Sequence, residues 1–411
     1  MLSPLQLWTE EKTGLGASLN PQTLEKWQFA RLRVQLAYAR SHSPYYSEKL
    51  QGLNILKIKS RADLPLLPLT PARALREEPQ KLLCISGSQT ARVTTLNTSG
   101  SSGDSKRIWF SENDLARTVE FFACGMTTMF GPGQTALILL SDNSPDGLGD
   151  LLRRALISIE AYPILHGFIK DIAAAAAAAA KAHCLIGLPT QLNRLCLLAP
   201  HLRPKAVLLT ADYVPSGIIN NIRSFWGSAV YTHYGMTESG FGLAVQCAAF
   251  TGHHLRDPEF IMEIIDPASG QPLPDGQWGE LVLTSLCNEA MPLIRYRSGD
   301  ITRRLTIPCA CGGNLARLDR IKGRIDNIFH TYPISILDEA LFHLPNLLDY
   351  QAQILPDDGL DLRLDSLSVY QESTIRQALE CQGLRPPALK LDHAPLPVFN
   401  GPAKRNIKNK Y

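Results

Sequence analysis

The sequence predicts an α/β protein with a large N-terminal part, a β-rich subdomain and a small C-terminal domain. Between residues 91 and 240, short apolar runs alternate with longer helix-like segments. The runs expected to form buried strands are 136–140, 184–187 and 206–209, and the helix-like segments are 147–158, 171–182 and 216–225. This alternation predicts a mostly parallel sheet, because helical crossovers join parallel strands.

The pattern becomes β-rich after residue 240, and the last part of the chain mixes both types of element. The features expected there are strands at 260–265 and 280–284, a helix at 335–343 and a hairpin around 357–359. We therefore expect an N-terminal domain over 1–323, which includes the β-rich subdomain 241–323. A small α+β domain over 324–411 would follow it.

Composition describes an ordinary core-forming protein, with 45% hydrophobic and 19% charged residues. The net charge of +3 is small for 411 residues and argues neither for nor against nucleic acid. We expect no nucleic-acid partner. A long apolar run and a charged-then-apolar leader are both absent from the sequence, which predicts a cytoplasmic protein with no membrane segment. The nine cysteines are scattered and odd in number, which fits a reducing compartment.

A Ser/Gly-rich stretch at 97–106 ends in a lysine and reads Asn-Thr-Ser-Gly-Ser-Ser-Gly-Asp-Ser-Lys. It lies between a strand candidate at 91–96 and a helix start near Glu112. Glycines let the backbone approach a ligand closely, and backbone N–H groups, hydroxyls and a lysine suit phosphate oxygens. The stretch lacks the Gly-Lys-Ser/Thr ending of a P-loop, and alone it is more typical of a flexible linker.

Three further motifs follow this loop. They are Tyr234-Gly235-Met236-Thr237-Glu238, then Arg295-Tyr296-Arg297-Ser298-Gly299-Asp300, then Gly323-Arg324-Ile325-Asp326. Each is weak alone, but the ordered set resembles the adenylate-forming ligases, the acyl-CoA synthetase superfamily. The segments 42–46, 63–65, 266–276 and 290–296 are similar to the phenylacetate–CoA ligase-like branch of that superfamily.

The resemblance implies that ATP and Mg²⁺ activate a carboxylic acid as an acyl- or aryl-adenylate, which then passes to CoA or a carrier-protein thiol. Residues implied to bind the nucleotide are Thr98, Ser99, Gly100, Ser101, Ser102, Gly103 and Lys106 around the phosphates, Ala211, Asp212, Tyr234 and Gly235 near the adenine, and Asp300 and Arg324 near the ribose. Thr237 at the α-phosphate and Glu238 on Mg²⁺ are implied to be catalytic, and Asp326 is the implied hinge.

A second group of residues suits a metal. Cys309 and Cys311 form a tight Cys-x-Cys turn, and Cys247 and His254 lie upstream. Together they offer three sulfurs and one imidazole, a set that suits tetrahedral zinc in a closed structural site. Some members of the resembling branch carry such a zinc. His253 is the second choice for the imidazole ligand, and unpaired cysteines beside exposed histidines are the alternative.

The chain departs from the family pattern after Asp326. Only residues 327–332 precede Pro333, so the hinge loop is shortened and its usual glycine is missing. In the tail, Pro402 aligns with the family's catalytic lysine, and a two-residue shift would give that role to Lys404; a solvated tail is the alternative.

These departures leave two alternatives to a CoA ligase. One is an adenylate-forming enzyme that loads a carrier protein or a partner without CoA, and the other is a non-catalytic nucleotide-binding homologue. A homodimer is common in the resembling branch, although nothing in the sequence indicates a self-complementary face.

Overall fold

The computed structural model of the chain describes residues 2–96, 105–141, 144–328, 330–396 and 407–409. The chain divides into two compact units, one of residues 1–128 and 233–322 and the other of residues 129–232 and 323–411. The division at residues 323 and 324 expected from the sequence stays a prediction. In the described ranges, no helix is long and apolar enough to cross a bilayer.

The helix that starts at Pro21 begins at a signal that the sequence provides. Asn20 precedes Pro21 and caps its helix, because its Oδ1 accepts from the backbone N–H groups of Gln22 and Thr23, each at 3.0 Å. The helices are α1 (Pro4–Thr13), α2 (Pro21–His42), α3 (Pro44–Lys49), α4 (Ala74–Glu77), α5 (Glu112–Met126), α6 (Leu148–Ser158), α7 (Ile172–Ala179), α8 (Pro189–Leu198), α9 (Ser216–Trp226), α10 (Ile325–Ile328), α11 (Ile334–Leu341) and α12 (Glu372–Glu380).

The strands confirm the predicted alternation, since the three apolar runs form β3, β5 and β6 and the three helix-like segments form α6, α7 and α9. The strands are β1 (Arg92–Leu96), β2 (Lys106–Phe110), β3 (Thr135–Leu139), β4 (Tyr162–Leu165), β5 (Cys184–Gly187), β6 (Ala206–Leu209), β7 (Ala229–Tyr234), β8 (Ala244–Val245), β9 (His253–Leu255), β10 (Phe260–Ile265), β11 (Gly279–Ser285), β12 (Tyr296–Thr302), β13 (Arg317–Leu318), β14 (Gly323–Arg324), β15 (Leu347–Ile354), β16 (Leu360–Ser366), β17 (Leu389–His393) and β18 (Lys408–Asn409).

The first unit is built from antiparallel pairings. Strands β1 and β2 form a hairpin in which Leu96 pairs with Lys106. Strands β10, β11 and β12 lie side by side in an antiparallel sheet. The end of β7, at His233 and Tyr234, pairs with β8, which pairs with β9, which in turn pairs with β13. These pairings place the ends of β2, β7 and β12 in the same unit.

The second unit contains the parallel sheet. Strands run in the order β4, β3, β5, β6 and the start of β7, and every neighbouring pair is parallel. A second sheet has the order β17, β16, β15, β18, in which β15 and β16 form the predicted hairpin. One continuous core joins α8 and α9 to α11 and β15, with Leu195, Ile222, Trp226, Leu341 and Leu347 among its buried residues.

Gly217, in the first turn of α9, lies directly against the end of α11. A Cβ atom at this position would be 2.2 Å from the carbonyl oxygen of Phe342 and 2.8 Å from the backbone nitrogen of His343. Both obstacles are backbone atoms, which cannot move aside as a flexible side chain would. Only glycine therefore allows the two helices to approach this closely.

Gly217→Ala should lower the free energy of unfolding by roughly 1–3 kcal/mol, the usual range for an overpacked contact. Urea unfolding followed by circular dichroism measures the change. Gly131→Ala is the matched control, because a Cβ there meets nothing within 4 Å. Equal stability of the two variants would contradict the contact.

Candidate active site and metal cluster

The Ser/Gly-rich loop is bounded by the paired strands β1 and β2. Six of its predicted phosphate-binding residues lie outside the described residues: Thr98, Ser99, Gly100, Ser101, Ser102 and Gly103. Lys106 is described, and it is the first residue of β2. Its position is therefore fixed by the hairpin register, opposite Leu96.

Lys106, Glu238 and Tyr296 form a closed triangle of hydrogen bonds, called the Lys–Glu–Tyr triangle below. Lys106 Nζ donates to Glu238 Oε1 at 2.9 Å and to Tyr296 Oη at 3.0 Å, and the Tyr296 hydroxyl donates to the same Oε1 at 2.9 Å. The three residues are 7%, 5% and 0% exposed, respectively. They come from three of the four sequence motifs, which the fold brings together.

The triangle determines the charge of Glu238. Burial opposes ionisation, but the Lys106 charge and the hydrogen bonds from Lys106 and Tyr296 outweigh it, so the pKa of Glu238 is lowered. Glu238 is therefore a carboxylate in the folded protein. A buried anion of this kind suits a hard cation such as Mg²⁺.

The short turn that carries Thr237 and Glu238 depends on glycine. A Cβ atom on Gly235 would lie 1.9 Å from the carbonyl oxygen of Phe241, so no other residue fits where the chain leaves β7. The turn itself is a single 3₁₀ turn, Thr237–Ser239, and Gly240 ends it with a φ of 68°. The Tyr-Gly-Met-Thr-Glu motif is thus a local structural unit as well as a set of polar groups.

Arg256 stabilises the same turn through hydrogen bonds to its backbone. Its guanidinium donates to the carbonyl oxygens of Ser239 at 3.4 Å and Gly242 at 3.2 Å, and it forms an ion pair with Glu259. It also stacks over the ring of Phe121, 4.6 Å from the centroid. Arg256 carries no motif of its own, so sequence reasoning missed it.

Tyr234 and Asp300 meet at the other end of the candidate site. The Tyr234 hydroxyl donates to Asp300 Oδ2 at 2.6 Å, which joins the end of β7 to β12. The Asp300 backbone N–H donates to Ser298 Oγ at 3.0 Å, and the intervening Gly299 has a φ of 77° that favours glycine. Two residues predicted to contact the nucleotide therefore lie in hydrogen-bonding contact.

Four further predicted residues, Ala211, Asp212, Arg324 and Asp326, lie in the second unit. Ala211 has a left-handed φ of 67°, and Asp212 Oδ1 accepts from the backbone N–H of Tyr213 at 2.8 Å. Arg324 lies in β14 and Asp326 in α10. Lys404 lies outside the described residues. The catalytic, nucleotide-binding and hinge roles of these residues stay predictions.

The four predicted metal ligands converge in the first unit. Cys247, His254, Cys309 and Cys311 are buried, and their ligand atoms all lie within 4.8 Å of one another. Cys247 Sγ is 3.6 Å from Cys309 Sγ, and Cys311 Sγ is 3.5 Å from His254 Nε2. His254 is thus the imidazole of the cluster, and the second choice, His253, is its buried neighbour on β9.

Two of the four ligands in the cluster are shifted toward the deprotonated form that coordinates a cation. Burial and the charge of Arg317 lower the pKa of His254 to about 4, so its imidazole is neutral at pH 7. Hydrogen bonds from Cys311 and Cys247 outweigh burial and lower the pKa of Cys309, whereas burial raises that of Cys247 to about 12. Metal ligands must be deprotonated, and a cation would supply the charge that Cys247 needs for this.

Solved structures of known proteins identify the fold of this chain. No family model matches the chain. The structure resembles that of 2-hydroxyisobutyryl-CoA ligase in the postadenylation state, with a TM-score of 0.79 and 23% identity over 92% of this chain and 87% of the other. The same ligase with 2-HIB-AMP and CoA in the thioesterification state gives 0.68 at 21% identity, over 95% and 91%. The chain therefore has the fold of the adenylate-forming ligases.

Relatives of known function are similar to this chain in sequence. The phenylacetate-coenzyme A ligase of Thermus thermophilus is 25% identical over 364 residues, which are 83% of this chain and 80% of the relative. That of Escherichia coli is 25% identical over 367 residues, 85% of this chain and 82% of the relative. Over most of its length this chain is therefore similar in sequence to phenylacetate–CoA ligases.

Lys106→Met should destabilise the protein by about 3–5 kcal/mol near pH 8, because it leaves the Glu238 carboxylate buried without its cation. The loss should shrink at pH 5. Without Lys106 the pKa of Glu238 rises above its unfolded value, so the protonated carboxyl stabilises the fold at low pH and this stability disappears as pH rises. Urea unfolding at both pH values measures the effect.

Two variants test the explanation. Lys106→Met/Glu238→Gln should recover much of the stability, because the buried charge is gone. Lys49→Met removes a lysine from an exposed pair with Glu48, at 3.6 Å, and should change stability by a few tenths of a kcal/mol at most. A Lys106→Met protein as stable as the parent at pH 8 would refute the pairing.

Proposed function

We propose that this chain activates a carboxylic acid with ATP and transfers the resulting acyl-adenylate to CoA. The observation that carries the proposal is the Lys–Glu–Tyr triangle beside the Tyr234–Asp300 contact. Motifs far apart in sequence supply a lysine for phosphate, a carboxylate for a cation and a second carboxylate for a ribose. The homology to phenylacetate–CoA ligases supports an aryl or related acid as substrate.

In the first step, a carboxylate oxygen of the acid attacks the α-phosphorus of ATP and pyrophosphate leaves. The chain's own residues position these groups and neutralise charge. The Lys106 ammonium would leave Glu238 and bind the phosphate oxygens instead. Thr237 would donate a hydrogen bond to the α-phosphate, and Asp300 would accept hydrogen bonds from the ribose hydroxyls. Mg²⁺, held by Glu238, would neutralise phosphate charge. Asp212 and Arg324 are assigned by motif order alone, as is Lys404.

In the second step, the thiol sulfur of CoA forms a bond to the acyl carbon, AMP leaves, and the thiol proton is released. Residues 327–332, between Asp326 and Pro333, are shorter than the corresponding family loop. This shortening favours, as a second candidate, transfer to a carrier-protein thiol or another partner. Assays with and without CoA separate the two acceptors.

We also propose a structural zinc at the cysteine–histidine cluster. Zn–S bonds of about 2.3 Å and Zn–N bonds of about 2.1 Å in a tetrahedron put neighbouring ligand atoms about 3.5–3.8 Å apart. The separations of 3.6 Å and 3.5 Å within the cluster fit this geometry. Four protein ligands leave no open position, so the metal would stabilise the β8–β9–β13 region and take no part in adenylation.

Asp300→Asn should reduce ATP–pyrophosphate exchange roughly a hundredfold, since it weakens two hydrogen bonds to a charged acceptor. The parent should exchange with at least one acid of an aromatic and aliphatic panel and form the acyl-CoA thioester when CoA is added. Asp275→Asn, at a half-exposed carboxylate, is the control and should exchange normally. Parent-like exchange by Asp300→Asn would refute the site assignment, and failure of the parent with every acid would count against the proposed function.

Elemental analysis of protein purified without chelators should find about one zinc per chain. Cys311→Ser should lose the metal and unfold at lower temperature, because the closed ligand set is broken. Cys84→Ser changes a buried cysteine outside the cluster and should keep the metal. A parent protein that is fully folded without any metal would contradict the zinc proposal.

A further inference from the structure

Tyr296 is the member of the triangle to which motif reasoning gave no role. Its hydroxyl has two partners, since it accepts from Lys106 Nζ and donates to Glu238 Oε1. The ring also lies beside the lysine, with Nζ 5.7 Å from its centroid. Tyr296 is therefore an uncharged group that contacts both charged members.

The main chain fixes Tyr296 on both sides. Thr70 N–H donates to the Arg295 carbonyl at 2.9 Å, and Arg297 N–H donates to the Thr70 carbonyl at 3.0 Å. On its other flank β12 pairs with β11, with Tyr296 opposite Leu283. The phenol oxygen therefore has little freedom to move away from Glu238.

Arg295, immediately before Tyr296, has a φ of 45°, which is unusual for a residue other than glycine. A buried bidentate contact to Glu263, at 3.0 and 3.1 Å, and a bond to the Leu67 carbonyl at 3.0 Å hold it there. Strain of this kind persists only where the surroundings determine the conformation. Here the determined conformation immediately precedes Tyr296, whose hydroxyl contacts Glu238.

We propose that Tyr296 is a positioning residue that keeps Glu238 oriented for the metal–nucleotide complex after Lys106 moves to the triphosphate. The inference rests on the proposed function of the site. In the free protein Lys106 satisfies Glu238, so the carboxylate is engaged. Once the ammonium leaves, Glu238 would keep two donors, its own backbone N–H and the fixed Tyr296 hydroxyl, of which the hydroxyl is the side-chain donor. A buried carboxylate left with its backbone donor alone would be less stable and freer to turn.

The test is Mn²⁺ binding to the full-length protein, measured by electron paramagnetic resonance with and without ATP. The parent should bind Mn²⁺ tightly only with ATP, because Lys106 occupies Glu238 in its absence. Tyr296→Phe should weaken Mn²⁺ binding in the presence of ATP roughly tenfold, the effect of one hydrogen bond to a charged group. In exchange assays it should raise the half-saturating Mg²⁺ concentration by a similar factor with a smaller change in kcat.

Tyr350→Phe is the matched control. Tyr350 is also a buried tyrosine whose hydroxyl donates to a carboxylate, that of Asp338 at 2.7 Å, but it lies in the second unit. It should lose a comparable amount of stability in urea and leave Mn²⁺ affinity unchanged. Equal loss of Mn²⁺ affinity in both variants would assign the effect to general destabilisation and overturn the proposal.

The remaining outcomes separate the inference from the proposed function. Tyr296→Phe with parent-like Mn²⁺ affinity overturns the inference alone. A parent that binds Mn²⁺ with ATP but exchanges with no acid contradicts the proposed function alone. A parent that does not bind Mn²⁺ with ATP contradicts both. If Tyr296→Phe does not fold, Tyr296→His is the second variant, because it keeps a ring and a hydrogen-bond donor. A folded Tyr296→His protein should bind Mn²⁺ in the presence of ATP more weakly than the parent without losing binding completely, and any other affinity overturns the inference.

Discussion

A carboxylate removed from water needs a cation beside it, and the first unit is arranged around that requirement. Glu238 is 132 residues from its partner Lys106 in sequence, so the ion pair closes a long segment of chain. Because breaking a buried pair costs several kcal/mol, the β1–β2 hairpin, the turn after β7 and the start of β12 are energetically tied to one another. The same charges that tie these elements together are those a nucleotide would use.

The proposed exchange of partners would explain how one site can be both stable and able to bind a nucleotide. A triphosphate brings negative charge for Lys106, and its accompanying cation brings positive charge for Glu238, so both buried ions would be satisfied before and after binding. Such an arrangement avoids a state in which either charge is alone. The groups around the triangle, Tyr296 and the Arg256-supported turn, would then provide preorganisation and so lower the reorganisation that the proposed reaction requires.

Much of this could be predicted from the sequence, and the reasons are physical. Strands β3, β5 and β6 were predictable because hydrophobic periodicity is local. The convergence of Cys247, His254, Cys309 and Cys311 was predictable because few residue types coordinate metals. The roles of Tyr296 and Arg256 were not, because they depend on contacts between distant segments and neither residue type implies them. The phosphate-loop residues 98–103 and Lys404 stay predictions from the motif alone.

The cysteine–histidine cluster has a further consequence for how the chain folds. Cys247 and Cys309 are 62 residues apart in sequence. Of the two paired strands β9 and β13, β9 lies shortly after Cys247 and β13 shortly after Cys309. A metal bound by all four ligands would act as a cross-link that restricts the unfolded chain. For a covalent bridge closing a loop of this size the chain-entropy estimate is about 4 kcal/mol. Strands β10 to β12 lie inside that loop. They would therefore pair while the loop is already closed, which leaves fewer conformations in which a wrong register could form.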